Sequence, residues 1–197
     1  MTLKTQSTTS DYIVWSELII LLSQLERDKK YREKLLLTLG CYWGLRISQI
    51  IGLTWKDILN KDKILFAPQK GGKAREIEVI PEVKTTIIEL YKSLNVTDTK
   101  EPVLSNRLGR IMTRQYVNIL IKKISTDYDL KIEKITSHSM RKTFGRRLWE
   151  KAGRSEEALI LLSDVFGHSS SSVTKIYLGI RRNEIRNAYH LLASKKN

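Results

Sequence analysis

Apolar residues recur at helical spacing along most of this chain, and one short stretch breaks that pattern. The first helical set is amphipathic and consists of Trp15, Leu18, Ile19, Leu22 and Leu25. The exception is formed by residues 63–67 and 75–80, which have the composition and alternation of strands, with Gly71 and Gly72 supplying a turn between them. The pattern predicts a mainly α-helical fold with one small antiparallel β-hairpin, which is an α+β class.

Residues that start or stop helices predict the boundaries of the other elements. A second helix is predicted over 31–43 and should end at Gly44, because glycine adopts the left-handed conformation at low cost. A third should run from Arg46 to about Leu53, which places Arg46 at a helix start. Later helices are expected from Pro81 up to a polar loop at 95–102, and over 113–127, 137–152 and 155–166. The last of these should stop at Gly167 and leave His168 in the following turn.

The length and composition of the chain are sufficient for one sizeable core. It has 197 residues, of which 41% are hydrophobic. Its first residues are rich in serine and threonine, which predicts a flexible tether or interdomain linker over 1–12. A single folded domain is therefore expected over 13–197.

The charge balance favours an anionic partner. The chain has 35 Lys and Arg against 21 Asp and Glu, a formal net charge of +14. Such a surface attracts polyanions, nucleic acid above all, although a ribosome-associated or membrane-surface protein can be equally basic.

Several other classes of protein are disfavoured. The apolar runs are too short to span a bilayer and the start lacks the apolar stretch of a signal peptide, so a cytoplasmic location without membrane contact is expected. The single cysteine, Cys41, cannot form an internal disulfide, and no Cys/His cluster has the spacing of a zinc site. Neither a metal nor a cofactor is expected.

The C-terminal third carries the residues with the clearest chemistry. His138 and Arg141 are three apart, so on a helix both side chains leave one face about 5 to 6 Å apart, suited to meeting one phosphate. A Gly-His pair follows at 167–168, and Tyr177 lies nine residues beyond that histidine. Tyr177 is the candidate nucleophile.

This order of motifs resembles the tyrosine recombinase (phage integrase) family. Further upstream, G-L-R-I-S-Q at 44–49 is similar to the family's G-L-R-x-S-E segment, and K-G-G-K-A-R at 70–75 is similar to a hairpin motif that carries a catalytic lysine. The resemblance extends from about residue 15 to about 192. It implies the catalytic-domain fold of that family, with Lys70 preferred to Lys73 as the lysine. Gln49 departs from the family's glutamate, which removes a negative charge near Arg46.

The resemblance also implies roles for six catalytic residues. Arg46 and Arg141 would clamp the scissile phosphate, because arginine's planar fork makes charged bidentate contacts, and His168 would donate a further hydrogen bond. His138 would accept the proton of Tyr177, and Lys70 would protonate the leaving 5′-oxygen. The expected product is a 3′-phosphotyrosyl link, formed without metal or ATP.

The implied partners are duplex DNA and further copies of the chain. Four further cationic side chains are expected to contact DNA: Lys73, Arg75, Lys142 and Arg146. The family exchanges strands in a tetramer on DNA, and a monomer in solution is compatible with this. The stripe at 185–192 suits docking of 181–194 on a neighbour or on its own core. Accessory DNA-bending or directionality factors are compatible with the family.

The expected function is that of a site-specific recombinase or integrase that integrates or excises a mobile element. Members commonly carry an N-terminal DNA-clamping domain, for which the residues before Trp15 are too few. A catalytic-domain fragment and a short recombinase such as a DNA invertase both remain open. A type IB topoisomerase-like enzyme and a non-catalytic DNA-binding regulator are the alternatives.

Overall fold

The protein is represented by a computed structural model that describes residues 10–66, 75–106, 108–180 and 189. Over these residues the chain forms helices α1 (Trp15–Arg27), α2 (Tyr31–Trp43), α3 (Ile47–Ile51), α4 (Trp55–Ile58), α5 (Pro81–Ser93), α6 (Arg114–Asp127), α7 (Ser137–Lys151), α8 (Glu156–Phe166) and α9 (Ser171–Tyr177), with strands β1 (Lys63–Phe66) and β2 (Arg75–Glu78) between α4 and α5. The prediction of a mainly α-helical fold with one antiparallel hairpin is confirmed.

Helix α2 lies at the centre of the main core. It is buried on nearly every face and packs against α1, α5 and α7, as expected of a helix that is apolar all round. Gly40 allows α7 to approach closely, because a Cβ at this position would overlap the side chain of Met140. This contact presses the first turns of α7 against the C-terminal half of α2.

The hairpin pairs as predicted, but its strands are short. Lys63 faces Glu78 and Phe66 faces Arg75 in the antiparallel register, and Ile64 and Ile77 are buried in the core. The predicted turn at Gly71-Gly72 lies outside the described residues, as do Lys70 and Lys73.

Two short helices were not predicted from the sequence. Helix α4 begins at Thr54, whose backbone N–H donates to the Asp57 carboxylate at 2.8 Å. Helix α9 begins at Ser170, whose hydroxyl accepts a hydrogen bond from the Val173 amide. In the sequence, only the capping residues Thr54 and Ser170 indicate where these helices start. Helices this short have too few turns to show a clear apolar period.

Residues 10–12 do not behave as a flexible tether. Ser10 is buried against α7, and the Asp11 amide donates to the Lys134 carbonyl at 2.7 Å. Ile13, which follows this segment, donates its amide hydrogen to the hydroxyl of Thr143. The described part of the predicted tether is therefore held on the folded domain.

No helix in the described part of the chain is both long and apolar enough to cross a membrane.

Candidate active site

Two helix ends form the floor of the site. Helix α2 ends at Gly44 and α8 ends at Gly167, and both glycines are left-handed, with φ of 58° and 64°, which confirms both predicted stops. Arg141 on α7 joins the two ends, because its guanidinium donates to the Gly44 carbonyl at 2.5 Å and to the Phe166 carbonyl at 2.8 Å. The turns that end α2 and α8 are thereby held together.

Two more arginines reach the same helix ends. Arg46 immediately precedes α3 and donates to the Phe166 carbonyl at 3.3 Å. Arg75 at the start of β2 donates to the Trp43 carbonyl at 2.6 Å. Arg75, expected as a DNA contact, thus belongs to a cluster of three arginines with Arg46 and Arg141.

The arginine cluster is strongly positive. Burial, together with the nearby Arg46, lowers the pKa of Arg75 to about 10 and that of Arg141 to about 9. Both guanidinium groups remain protonated at neutral pH. Within the described residues none of the three forms an ion pair with a carboxylate. Because a buried cation without a nearby negative charge is costly, and Arg141 is 3% exposed, the site favours an incoming anion.

Gln49 keeps a local role despite departing from the family pattern. Its side-chain oxygen accepts a hydrogen bond from the backbone amide of Arg46 at 3.0 Å, at the first turn of α3. The Gln49 side chain thus caps the helix without adding a negative charge to the arginine cluster.

His138 lies in the first turn of α7, beside the arginines. Thr136 caps this helix by accepting a hydrogen bond from the His138 amide. Burial lowers the pKa of His138, and Arg141, Lys142 and Arg46 lower it further by repulsion. The imidazole is therefore neutral at pH 7 and able to accept a proton.

His168 follows α8 and is oriented by a residue that sequence reasoning missed. Its Nδ1 lies 2.9 Å from the hydroxyl oxygen of Thr174, a fully buried residue on α9. Burial and repulsion by Arg141 and Arg46 lower the pKa of His168 to about 4. When the Thr174 hydroxyl donates to Nδ1, the neutral ring carries its proton on Nε2 and can donate it to an anion. The sequence did not predict the contact between His168 and Thr174, which are six residues apart. The two side chains meet only because a short helix, capped by Ser170, follows His168.

Tyr177 lies at the end of α9 and packs against both histidines. Its ring centroid is 5.2 Å from that of His168, 6.5 Å from that of His138 and 5.6 Å from that of Phe166. Burial raises the pKa of Tyr177 to about 12, opposed by the positive charges of Arg141 and Arg46.

The Tyr177 hydroxyl oxygen is buried without a hydrogen bond of good geometry to any described residue. The nearby Arg141 favours the phenolate, yet the two groups are not aligned as donor and acceptor. A buried unpaired hydroxyl is costly, and its presence next to Arg141 and Arg46 suits a group that reacts rather than one that only packs.

Two of the residues expected to contact DNA are buried. Lys142 and Arg146 are 3% and 6% exposed. The Lys142 ammonium donates to the Ser10 carbonyl, and the Arg146 guanidinium donates to the Tyr12 hydroxyl. Neither arrangement matches the expected direct phosphate contact, because residues 10–13 cover this part of α7.

A groove leads from the arginine cluster across α3 and α6. Its lining combines Arg46, His138 and Arg141 with Arg114 and Lys122 on α6, and none of the described lining residues carries a carboxylate. The structure thus brings together Arg46, His138, Arg141, His168 and Tyr177 beside an open, basic groove. Lys70 and Lys73 lie outside the described residues.

Comparison with known proteins supports the same family as the motifs. The model of the Phage integrase family matches residues 16–184. The probable integrase/recombinase YoeC of Bacillus subtilis is 30% identical over 162 residues, which cover 82% of this chain and 85% of that protein. Tyrosine recombinase XerD of Staphylococcus epidermidis is 26% identical over 185 residues, and the match covers 91% of this chain but only 61% of XerD.

A solved structure has the same fold. The Tn1549 transposon integrase, determined in complex with transposon right end DNA, superposes with a TM-score of 0.69 at 20% identity, over 95% of this chain and 68% of that one. The predicted tyrosine recombinase catalytic-domain fold is confirmed. With the family model matched over most of its length, the chain belongs to the phage integrase family.

Proposed function

We propose that this chain is the catalytic domain of a site-specific DNA recombinase, which cleaves and rejoins DNA through a 3′-phosphotyrosyl intermediate. The observation that carries the proposal is the packing of Tyr177 against His168 and His138, beside the buried Arg141 and the exposed Arg46. Neither arginine has a carboxylate partner among the described residues. A nucleophile next to cations that can bind an anion is what attack on a phosphodiester requires.

The arginines would bind the scissile phosphate and stabilise its transition state. Attack on phosphorus adds charge to the non-bridging oxygens, and Arg46 and Arg141 would meet that charge with donors already fixed on helix ends. His168, oriented by Thr174, would donate a further hydrogen bond from Nε2. Because the three groups are held before substrate binds, little reorganisation is needed in the reaction.

Tyr177 would attack the phosphorus while the bond to the 5′-oxygen breaks. Its pKa near 12 makes the free phenol a weak nucleophile, so its proton must leave during the attack. The neutral His138 would accept that proton, and the family resemblance assigns protonation of the 5′-oxygen to Lys70. The phosphotyrosyl bond conserves the energy of the broken one, so a 5′-hydroxyl can reverse the step without ATP.

Duplex DNA would lie along the groove lined by α3, α6 and the start of α7. Arg114 and Lys122 would contact phosphates there, and the net charge of +14 would attract the duplex. Recombination would proceed in a tetramer on DNA, as in the family, with the chain acting where bacterial DNA lies, in the cytoplasm. The similarity to YoeC and to a transposon integrase favours a mobile element as the target.

A nicked suicide duplex tests the proposal. The duplex carries the candidate element end and loses a short 5′ fragment after cleavage, so the covalent adduct accumulates and appears on a denaturing gel. We expect an adduct with the wild type and none with Tyr177→Phe. Tyr128→Phe is the matched control, because this tyrosine contacts Asp28 and Lys30, near the end of α2 remote from Gly44.

The opposite outcome is equally clear. DNA binding without any adduct, on several element ends, would favour the non-catalytic regulator. An adduct that persists in Tyr177→Phe would place the nucleophile elsewhere.

A further inference from the structure

Lys142 has an unusual position for a lysine next to a catalytic arginine. It is 3% exposed, although its sequence neighbours suggest a charged surface. Its ammonium nitrogen lies 2.6 Å from the Ser10 carbonyl oxygen and 5.2 Å from the centroid of the Tyr177 ring. A buried ammonium needs compensating contacts, and a carbonyl dipole and the face of an aromatic ring both provide them.

The Ser10 carbonyl is itself fixed on the domain. The next residue, Asp11, donates its amide hydrogen to the Lys134 carbonyl, and Ile13 donates to Thr143 on α7. The Arg146 guanidinium lies over the ring of Tyr12, 4.4 Å from the ring centroid, and donates a hydrogen bond to the Tyr12 hydroxyl. Residues 10–13 therefore form a strap across α7, anchored by the three residues that follow the carbonyl that Lys142 binds.

Lys142 and Arg141 are neighbours on α7 but contact different parts of the molecule. Successive side chains on a helix leave in directions about 100° apart. Arg141 accordingly reaches the carbonyls of Gly44 and Phe166, whereas Lys142 connects the strap to Tyr177 on α9. The nucleophile is thus in contact with a side chain that also binds the Ser10 carbonyl.

We propose that Lys142 is a positioning residue for the nucleophile: the strap at 10–13 fixes its ammonium, and the ammonium fixes the ring of Tyr177. This inference rests on the proposed function, since it assigns Tyr177 the attack. The placement of the strap on α7 then becomes a determinant of the cleavage rate. Lys142 acts through Tyr177 and does not itself hold the phosphate.

Single-turnover cleavage of the suicide duplex separates positioning from DNA binding. Replacing Lys142 by methionine keeps much of the side-chain volume but removes the charge. We expect Lys142→Met to lower the cleavage rate at saturating DNA by about a hundredfold, since misplacing a reacting group by about 1 Å has an effect of that size. The DNA concentration for half-saturation should not change. Lys142→Arg should recover most of the rate, because a guanidinium can also donate to the carbonyl and lie over the ring.

Lys34 provides the matched control. It is also buried, is paired with Glu26, and lies on α2 ten residues before Gly44, about 15 Å along the helix axis. Lys34→Met should destabilise the fold and leave the cleavage rate of the folded protein unchanged. Equal rates for Lys142→Met and the wild type would overturn the inference, as would a loss confined to DNA affinity.

A second comparison tests whether the strap and Lys142 act together. Deleting residues 2–12 removes the carbonyl that Lys142 binds, together with the Asp11 and Tyr12 contacts of the strap, and keeps the buried Ile13. If both act through one connection, the deletion combined with Lys142→Met should cleave no more slowly than the slower of the two single variants. Losses that multiply would show that the strap and Lys142 act independently, which would overturn the connection.

A measurement without DNA keeps the test valid even if no substrate is cleaved. The ring resonances of Tyr177 in protein with ¹³C-labelled tyrosine can be assigned by their loss in Tyr177→Phe. We expect Lys142→Met to shift them and Lys34→Met to leave them in place. Unchanged Tyr177 resonances in Lys142→Met would overturn the inference, whereas shifted resonances with no wild-type adduct would contradict only the proposed function.

Discussion

The Arg141 guanidinium donates a hydrogen bond to the Gly44 carbonyl at 2.5 Å, although the two residues are 97 positions apart in the sequence. The same guanidinium binds the Phe166 carbonyl, so one side chain holds together the ends of two helices. These contacts leave the cation buried and oriented before any ligand binds. The residue expected to bind the phosphate therefore also stabilises the fold around it.

Arg141→Lys should lower both cleavage and stability. A lysine cannot reach both carbonyls with a planar fork, so we expect cleavage to fall by about 10²- to 10³-fold, as on loss of an oxyanion donor. The free energy of unfolding should fall by about 1–3 kcal/mol, because a buried carbonyl loses its donor. Single-turnover cleavage and urea denaturation measure the two effects.

Arg46→Lys is the comparison for that variant. Arg46 is exposed and makes one longer bond to the Phe166 carbonyl, at 3.3 Å. We expect a similar loss of cleavage with a much smaller change in stability. Equal destabilisation by the two substitutions would contradict the dual role assigned to Arg141.

Gly44→Ala should be more destabilising than Gly167→Ala. Both glycines have positive φ, so each alanine is expected to lose about 1–2 kcal/mol of stability from the left-handed backbone. At Gly44 a Cβ would also overlap the Phe144 ring, whereas at Gly167 nothing lies within 4 Å. Denaturation of the two variants measures the difference, and equal losses would show that the Phe144 ring moves aside freely.

Gln49→Glu should stabilise the start of α3. The carboxylate keeps the acceptor for the Arg46 amide and adds a negative charge at the helix N-terminus, where about 0.3–1 kcal/mol is typical. Gln49→Leu removes the acceptor and should lose about 0.5–2 kcal/mol. Thermal unfolding in low salt compares the variants with the wild type. No difference among the three would mean that the Gln49 contact does not stabilise the turn.

Stability should fall as the solution becomes acidic, and His168 should contribute to the slope. Its pKa in the folded chain is about 4, below the ordinary 6.5, so the folded state disfavours its protonation. This contribution is complete above pH 6.5 and is lost as the pH falls through 6.5 towards 4. Urea denaturation across this range should show a shallower slope in His168→Asn. An identical slope would contradict the lowered pKa.

Local spacing was sufficient to predict much of the fold and the residue types of the site. Gly44 and Gly167 end their helices as expected, and His138 and Arg141 share the first turns of α7. These features depend on contacts within a few residues. Helix α9 escaped prediction because its start depends on the Ser170 cap rather than on an apolar stripe.

Sequence by itself determined which groups this protein could use: two histidines, a tyrosine and arginines in a fixed order, on helices with definable ends. Only the tertiary structure decided which cations are buried. Arg75 joined the arginine cluster, Lys142 turned towards Ser10 and Tyr177, and Thr174 came to orient His168. The physical reason is that local spacing sets the direction of a side chain from its own helix, whereas its burial and partners depend on how other segments pack against it. The contact between Lys142 and Ser10, for example, joins residues 132 positions apart.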